Sequence, residues 1–255
     1  MFFFTFFNWF LEIAKWKTII KKIKYISWNQ SFVQSLSSSA LAMITPVRTG
    51  EYGMKVLYFE KHIRKDVALH AFIGNLYQLI ASILFGLLGI IILSEYINEI
   101  FRFRLFSFLF IFIISFITTY FIKEKVPVFK HWYLKFLEGF HFGEKNYRNA
   151  LLLSFLRYIV FSHQFYFLIL IFNIDITYLE AISCIASMYL LTSIVPILPL
   201  FDFALKGSVA ILIFDIFEVN PLHIVTITSL MWILNFAIPA IIGSYFVLKF
   251  KPQQV

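Results

Sequence analysis

The sequence predicts an all-α, polytopic integral membrane protein of about six to eight membrane helices, and three observations carry this. Apolar residues make up 60% of the 255 residues and charged ones only 14%, against roughly 45–50% and about 25% in a soluble domain. Residues 67–93, 104–122, 148–172 and 222–248 are apolar runs of 27, 19, 25 and 27 residues, where about 20 suffice to cross a bilayer. Finally, 18 of the 22 Lys and Arg residues cluster beside these runs, at 15–24, 47–66, 123–148 and 249–255. A net charge of +8 is compatible with nucleic-acid binding, but its placement argues for loops held on the cytoplasmic side against anionic headgroups. Membrane lipids, and no nucleic acid, are the expected partners. The one cysteine, Cys184, lies in an apolar stretch, which excludes an internal disulfide and argues against thiol-based metal or redox chemistry.

The elements follow in order as a single transmembrane domain, 1–255. Residues 1–14 are apolar but short for a span, and lack the basic start and small-residue cleavage site of a signal peptide. Residues 28–46 mix Trp28, Phe32, Leu36 and Met43 with Gln34, Ser35 and the run Ser37-Ser38-Ser39, and stop at Thr45-Pro46. Such a segment suits a re-entrant or interior helix shielded by neighbours. Residues 176–195 form an apolar run ended by Val195-Pro196-Ile197-Leu198-Pro199, and residues 203–217 resume it, since proline lacks a donor and cannot continue a helix. The first broken element would be entered from the cytoplasm and the second from outside, with the C-terminus inside. Two Pro-interrupted segments in matching places suggest inverted repeats enclosing a polar cavity. Two ordinary kinks with interfacial loops are the alternative.

Charged residues near these breaks are candidates for binding a substrate. Arg48, Glu51 and Lys55 follow Pro46 and Gly50. On a helix Glu51 and Lys55 stand four apart and can pair, which would leave the Arg48 fork for a phosphate. A salt-bridge cluster that locks the re-entrant helix is the other reading. Asp202 and Lys206 are likewise four apart near Pro196 and Pro199. Arg157 lies nine residues into the 148–172 run; a charge there should face the interior, in a cavity or a helix–helix pair. Asn75, Gln78 and Ser82 share one face of 67–93, fit for interhelical bonds or for a polar path. His131, Glu138, His141 and Glu144 fall in a loop whose aromatic content suits a membrane-surface segment, without metal-ligand spacing. No catalytic motif is found, so neither an enzyme nor a cofactor is expected.

Ile44-Thr45-Pro46-Val47-Arg48-Thr49-Gly50-Glu51-Tyr52 resembles the Pro-x-Arg-x-Gly-Glu signature of the lysylphosphatidylglycerol synthase transmembrane region family, a flippase-like membrane group. Asn8-Trp9-Phe10-Leu11-Glu12-Ile13-Ala14-Lys15-Trp16-Lys17 resembles the segment preceding that signature in a Bacteroidetes-type branch. Ser193 to Pro199 resembles the second family motif, and Asp202 with Lys206-Gly207-Ser208 the branch's version of it. The resemblance covers about 8–248. It implies a lipid-translocating or lipid-handling protein of a bacterial cytoplasmic membrane, acting on an anionic phospholipid or lipid-linked substrate, without the soluble aminoacyl-transferase domain of bifunctional members and with one N-terminal helix fewer. A non-transporting accessory subunit of a membrane glycosyltransferase or envelope-synthesis complex, and an integral-membrane transferase of unknown motif, stay open, as does a homo-oligomer.

Overall fold

A computed structural model describes residues 1–96, 99, 107, 144–195 and 197–251. The span expected at 104–122 apart from residue 107, the loop at 123–148 except its last residues, and Pro196 lie outside the described residues. The described chain is helical: α1 (Phe2–Ile20), α2 (Trp28–Met43), α3 (Thr49–Leu57), α4 (Arg64–Leu93), α5 (Lys145–Ile171), α6 (Tyr178–Ser193), α7 (Asp202–Phe214), α8 (Pro221–Trp232) and α9 (Ile238–Leu248). A five-residue π segment, Ile233–Ala237, joins α8 to α9 in one run. That run, α4 with its leading turn, and α5 are long and apolar enough to cross a membrane.

The two 16-residue helices α2 and α6 begin in the same way. Ser27 and Gln30 form a reciprocal capping box at the start of α2, and Thr177 and Glu180 one at the start of α6. Each helix stops ahead of a proline. A 3-10 turn, Pro46–Arg48 or Pro199–Phe201, then leads into the short helix α3 or α7. Both segments are thus hairpins, as their prolines suggest.

Each hairpin lies between two longer helices, so α1–α4 and α5–α9 have the same plan. The plan is inverted, because α1 and α5 run antiparallel along each other. Thr5 meets Gln164, Glu12 meets Arg157, and Lys22 meets Glu144. Each hairpin also packs on the other half: α2 lies along α9, and α6 along α4. Both crossings are close because glycine sits at the contact. A Cβ on Gly89 would lie 2.7 Å from the Ser183 carbonyl oxygen, and one on Gly243 would collide with the backbone at Leu36. An apolar core around Phe165, Ile185, Met188, Phe214 and Ile227 fills the second half.

α1 runs to Ile20, beyond the apolar segment that ends at residue 14. The reason is that Lys15 is buried within the bundle, so the first basic cluster does not start a loop.

The ends of the bundle differ in charge. The ends of α1 and α3 and the starts of α2, α4 and α5 gather at one end, tied by Lys22–Glu144 at 2.9 Å and Lys24–Glu60 at 2.8 Å. The Lys24 ammonium donates to Glu60 and holds its carboxyl below the usual range. Lys61, Arg64, Lys65 and Lys145 share this end. Tyr58 stacks edge-on with Phe250, which brings Lys249 and Lys251 there too. At the other end Tyr96 meets Phe217 and Phe172 meets His223; the described side chains there include the acidic Glu95, Asp175, Glu180, Asp215 and Glu218. Basic loops remain in the cytoplasm. A membrane-impermeant thiol reagent should therefore label Asp175→Cys and Glu218→Cys in intact bacterial cells, and His62→Cys only after permeabilisation. Labelling of His62→Cys in intact cells would reverse this orientation.

Candidate functional site

The first break is built by its own sequence. Thr45 Oγ1 accepts from the Gly50 amide at 2.8 Å and donates to the Leu41 carbonyl at 2.9 Å, which stitches the end of α2 to the start of α3. Residue 50 must be small, because a Cβ there would lie 2.5 Å from the Leu41 carbonyl oxygen. Between Pro46 and Gly50 the chain turns through Arg48, whose φ of 57° and ψ of 27° are left-handed. Non-glycine residues take this conformation at a cost and commonly at functional sites. The turn aims the guanidinium back at Glu51, with Nε and Nη2 at 3.1 and 3.0 Å from Oε2, and across the Phe236 ring at 5.2 Å.

Glu51 Oε1 accepts from Lys55 Nζ at 2.9 Å. The Lys55 ammonium also sits 4.6 Å over the Trp16 ring, and Trp16 Nε1 donates to Gln34 at 2.7 Å. A second carboxylate, Glu12, is held in the same manner. Its Oε2 is 2.6 Å from Lys15 Nζ and 2.7 Å from Arg157 Nη1, while Arg157 Nε donates to Asn8 at 2.9 Å. Asn8 in turn donates to Asn235 at 2.8 Å, and Asn235 to Gln164 at 2.9 Å. Asn235 lies in the π segment, a distortion frequent at functional sites. Pro239 brings no N–H for the carbonyl four residues before it, and Trp9 Nε1 donates to that Asn235 carbonyl instead, at 3.2 Å.

The tips of the two hairpins touch. Beside them lies a cavity of about 370 Å³, within the range of ligand sites. Arg48, Arg157 and Lys206 bring cations to its wall, and Glu12 and Asp202 carboxylates; Lys206 Nζ is 2.6 Å from Asp202 Oδ2. Adding Glu51, Lys15 and Lys55 directly behind the wall, five cations face three carboxylates among the described residues. Asn75, Gln78 and Ser82 form a polar strip on the α4 side. Asn75 donates to Tyr52 at 3.1 Å, whereas neither amide atom of the buried Gln78 group has a partner among the described residues.

Four of the candidates read from sequence, Arg48, Arg157, Asp202 and Lys206, meet at this cavity. Two do not reach its wall: Glu51 and Lys55 stand behind it and hold Arg48 in place. The expectation that Glu51 pairs with Lys55 and leaves Arg48 free is corrected, because the carboxylate has two oxygens and takes one cation on each. Arg157 both lines the cavity and forms an interhelical pair. Of the proline breaks, Pro46 and Pro199 shape the 3-10 turns, and Trp232 Nε1 donates to the Pro199 carbonyl at 3.1 Å. Glu12, Lys15, Asn8 and Asn235 were not among the candidates, although Asn8, Glu12 and Lys15 recur at helical spacing through an apolar segment.

Inverted halves, opposed broken hairpins and a cavity lined by charged and polar groups among apolar ones define a polytopic all-α membrane protein. The family model of the lysylphosphatidylglycerol synthase TM region matches residues 1–243, and the chain belongs to this family. Membership gives it a membrane location and a membrane-lipid-related function. Comparison with curated proteins and with solved structures returned no match.

Glu51 is the structural keystone of the first break. Glu51→Gln strands the buried Lys55 ammonium without its carboxylate, which costs about 3–5 kcal/mol for a buried pair. The purified variant should therefore melt well below the parent in a thermal-unfolding assay. Arg48→Gln, at a half-exposed position, should melt close to the parent. Equal melting of Glu51→Gln and the parent would remove the keystone role.

Proposed function

We propose that the chain binds the headgroup of an anionic phospholipid or lipid-linked anion in the cavity and passes it between the leaflets of a bacterial cytoplasmic membrane, with the tails left in lipid. The excess of fixed cations at the meeting point of the two hairpins carries this reading. A headgroup phosphate entering a bilayer loses its hydration at high cost. A site with guanidinium forks already oriented replaces part of that hydration without reorganising. Arg48 Nη1 and Arg157 Nη2 have no protein partner among the described residues, so each retains donors for a phosphate oxygen. The hairpins open from opposite ends of the bundle, and this arrangement supports alternate access to one central site. The role requires no catalysis and no cofactor from the protein.

Purified protein in liposomes carrying a trace of fluorescent phosphatidylglycerol tests the proposal, read by quenching of the outer leaflet with dithionite. The parent should expose the inner-leaflet label to the quencher, and empty liposomes should not. Lysine keeps a charge but loses the planar fork, so Arg48→Lys and Arg157→Lys should insert normally and slow movement by about tenfold or more, near 1.4 kcal/mol. Parent protein that moves no label, or both variants at the parental rate, would end this reading.

A further inference from the structure

Lys15 is the least supported of the buried cations among the described residues. It lies on α1 and is 2% exposed. An ammonium has three donors, but Lys15 Nζ reaches a single acceptor, Glu12 Oε2 at 2.6 Å, and no aromatic ring. That oxygen is shared, since Arg157 Nη1 is 2.7 Å from it. The other lysines of the cluster are better served: Lys55 has Glu51 and the Trp16 ring, and Lys206 has Asp202 and the Tyr189 ring. The charged groups facing Lys15 are Glu12 on its own helix, Arg157 from α5 and Lys55 from α3, the last paired with Glu51. α2 presents serines and Gln34, which Trp16 occupies. α4 presents Gly74, where a Cβ would lie 3.9 Å from Lys15 Cε; His70 and Tyr77 stand a turn to either side, with His70 2.9 Å from the Tyr147 hydroxyl. The π segment presents the neutral Asn235.

Unspent N–H groups away from water are costly. Lysine can shed that cost by giving up its proton, and arginine cannot. We infer that Lys15 is a proton site of the cavity: a neutral amine while the cavity is empty, it takes up one proton when an anionic headgroup binds. The inference rests on the headgroup-binding part of the proposed function and adds an ion to it. With Lys15 neutral, four cations stand against three carboxylates, still an excess; with Lys15 charged, five do. An entering phosphate offsets part of that excess, in surroundings of low dielectric where charges act on one another strongly. A phosphate on Arg157 also leaves more of the shared Glu12 oxygen to Lys15. Glu12 gives the proton its way in, because it lines the cavity and its Oε1 has no partner among the described residues. A proton from cavity water binds the carboxylate and passes to the Nζ lone pair. This restores the carboxylate and forms the third N–H bond of the ammonium; release reverses both transfers.

Calorimetric titration of the detergent-solubilised full chain with short-chain phosphatidylglycerol tests this, with each pH run in both HEPES and Tris. The phosphodiester stays ionised from neutral to alkaline pH, so any proton exchanged belongs to the protein. The difference in binding heat between the two buffers, divided by the difference in their ionisation heats, counts the protons. The parent should take up as much as about one proton per lipid. Because a proton enters with the lipid, its affinity should fall as pH rises, by up to about tenfold per pH unit. Lys15→Met, which is never charged, and Lys15→Arg, which always is, should each bind with heats that no longer depend on the buffer. Binding by the parent without proton uptake, or uptake that persists in either variant, would overturn the inference and leave headgroup binding in place. A parent that binds no lipid would end the headgroup reading and this one together. Proton-linked binding by a parent that moves no label in liposomes would end the translocation reading alone.

Discussion

Unpaired backbone cannot face hydrocarbon, and the architecture follows from that constraint. Each proline break frees carbonyl and amide groups at membrane depth, where every unsatisfied group is expensive. Two devices meet the need. The chain satisfies some groups locally, through Thr45 at the first break and Trp232 at the second. The long helices then shield what remains. α9 covers α2 and α4 covers α6, each held close by glycine. Since each hairpin is covered by a helix of the other half, neither half is complete alone. The tips meet at the centre, and the cavity is the space that two turns leave where two straight helices would have filled it.

Charge within such a bundle requires its own account. A buried ion pair seldom adds stability over an apolar pair of equal volume, because desolvation offsets most of the attraction. Glu12 and Glu51, with two cations each, are costly to break yet add little over apolar residues of the same volume, so stability alone does not account for them. They are better explained by what they fix. Glu51 holds Arg48 in a left-handed turn, and Glu12 with Asn8 holds Arg157 side-on. In each case one edge of the guanidinium is spent on orientation and the other is left for the cavity. That is the arrangement expected of a preorganised anion site.

Much of this was legible in the sequence. The apolar runs gave three long spans, the prolines marked both hairpins, and the four-residue spacings gave the Glu51–Lys55 and Asp202–Lys206 pairs. What escaped depends on contacts far apart in the chain. Lys15 reads as the first residue of a basic loop when the apolar run is ended at residue 14. Its burial beside Glu12 becomes visible only once Arg157, 145 residues away from Glu12, is seen to share the pair. The spacing of Asn8, Glu12 and Lys15 was nonetheless a signal, since it places three polar groups along one face of an apolar helix. Asn235 carried no local signal, because a π segment comes from packing and from Pro239 together. The four-residue spacing shows Lys55 as the partner of Glu51 but not Arg48, because the left-handed turn that brings Arg48 onto the second carboxylate oxygen has no spacing signature; the salt-bridge cluster was the alternative reading.

The frame is nearly two-fold, but its chemistry is not, and the difference bears on how the halves could move. Along α1 and α5 the seam is polar: Thr5–Gln164, Asn8–Arg157 and Glu12–Arg157 cross it, and Asn8 also reaches Asn235. Sliding there would break charged contacts in surroundings of low dielectric, where they are strongest. The crossings of α2 on α9 and of α6 on α4 are built on glycine, serine backbone and apolar rings such as Phe32 and Phe246. A small shear there exchanges one set of dispersion contacts for another and strands no charge. If the site opens in turn to the two ends of the bundle, α1 and α5 serve as the fixed axis and the hairpins swing with the helices that cover them. Arg157 would then stay on the axis, while Arg48 and Lys206 ride on the moving hairpins.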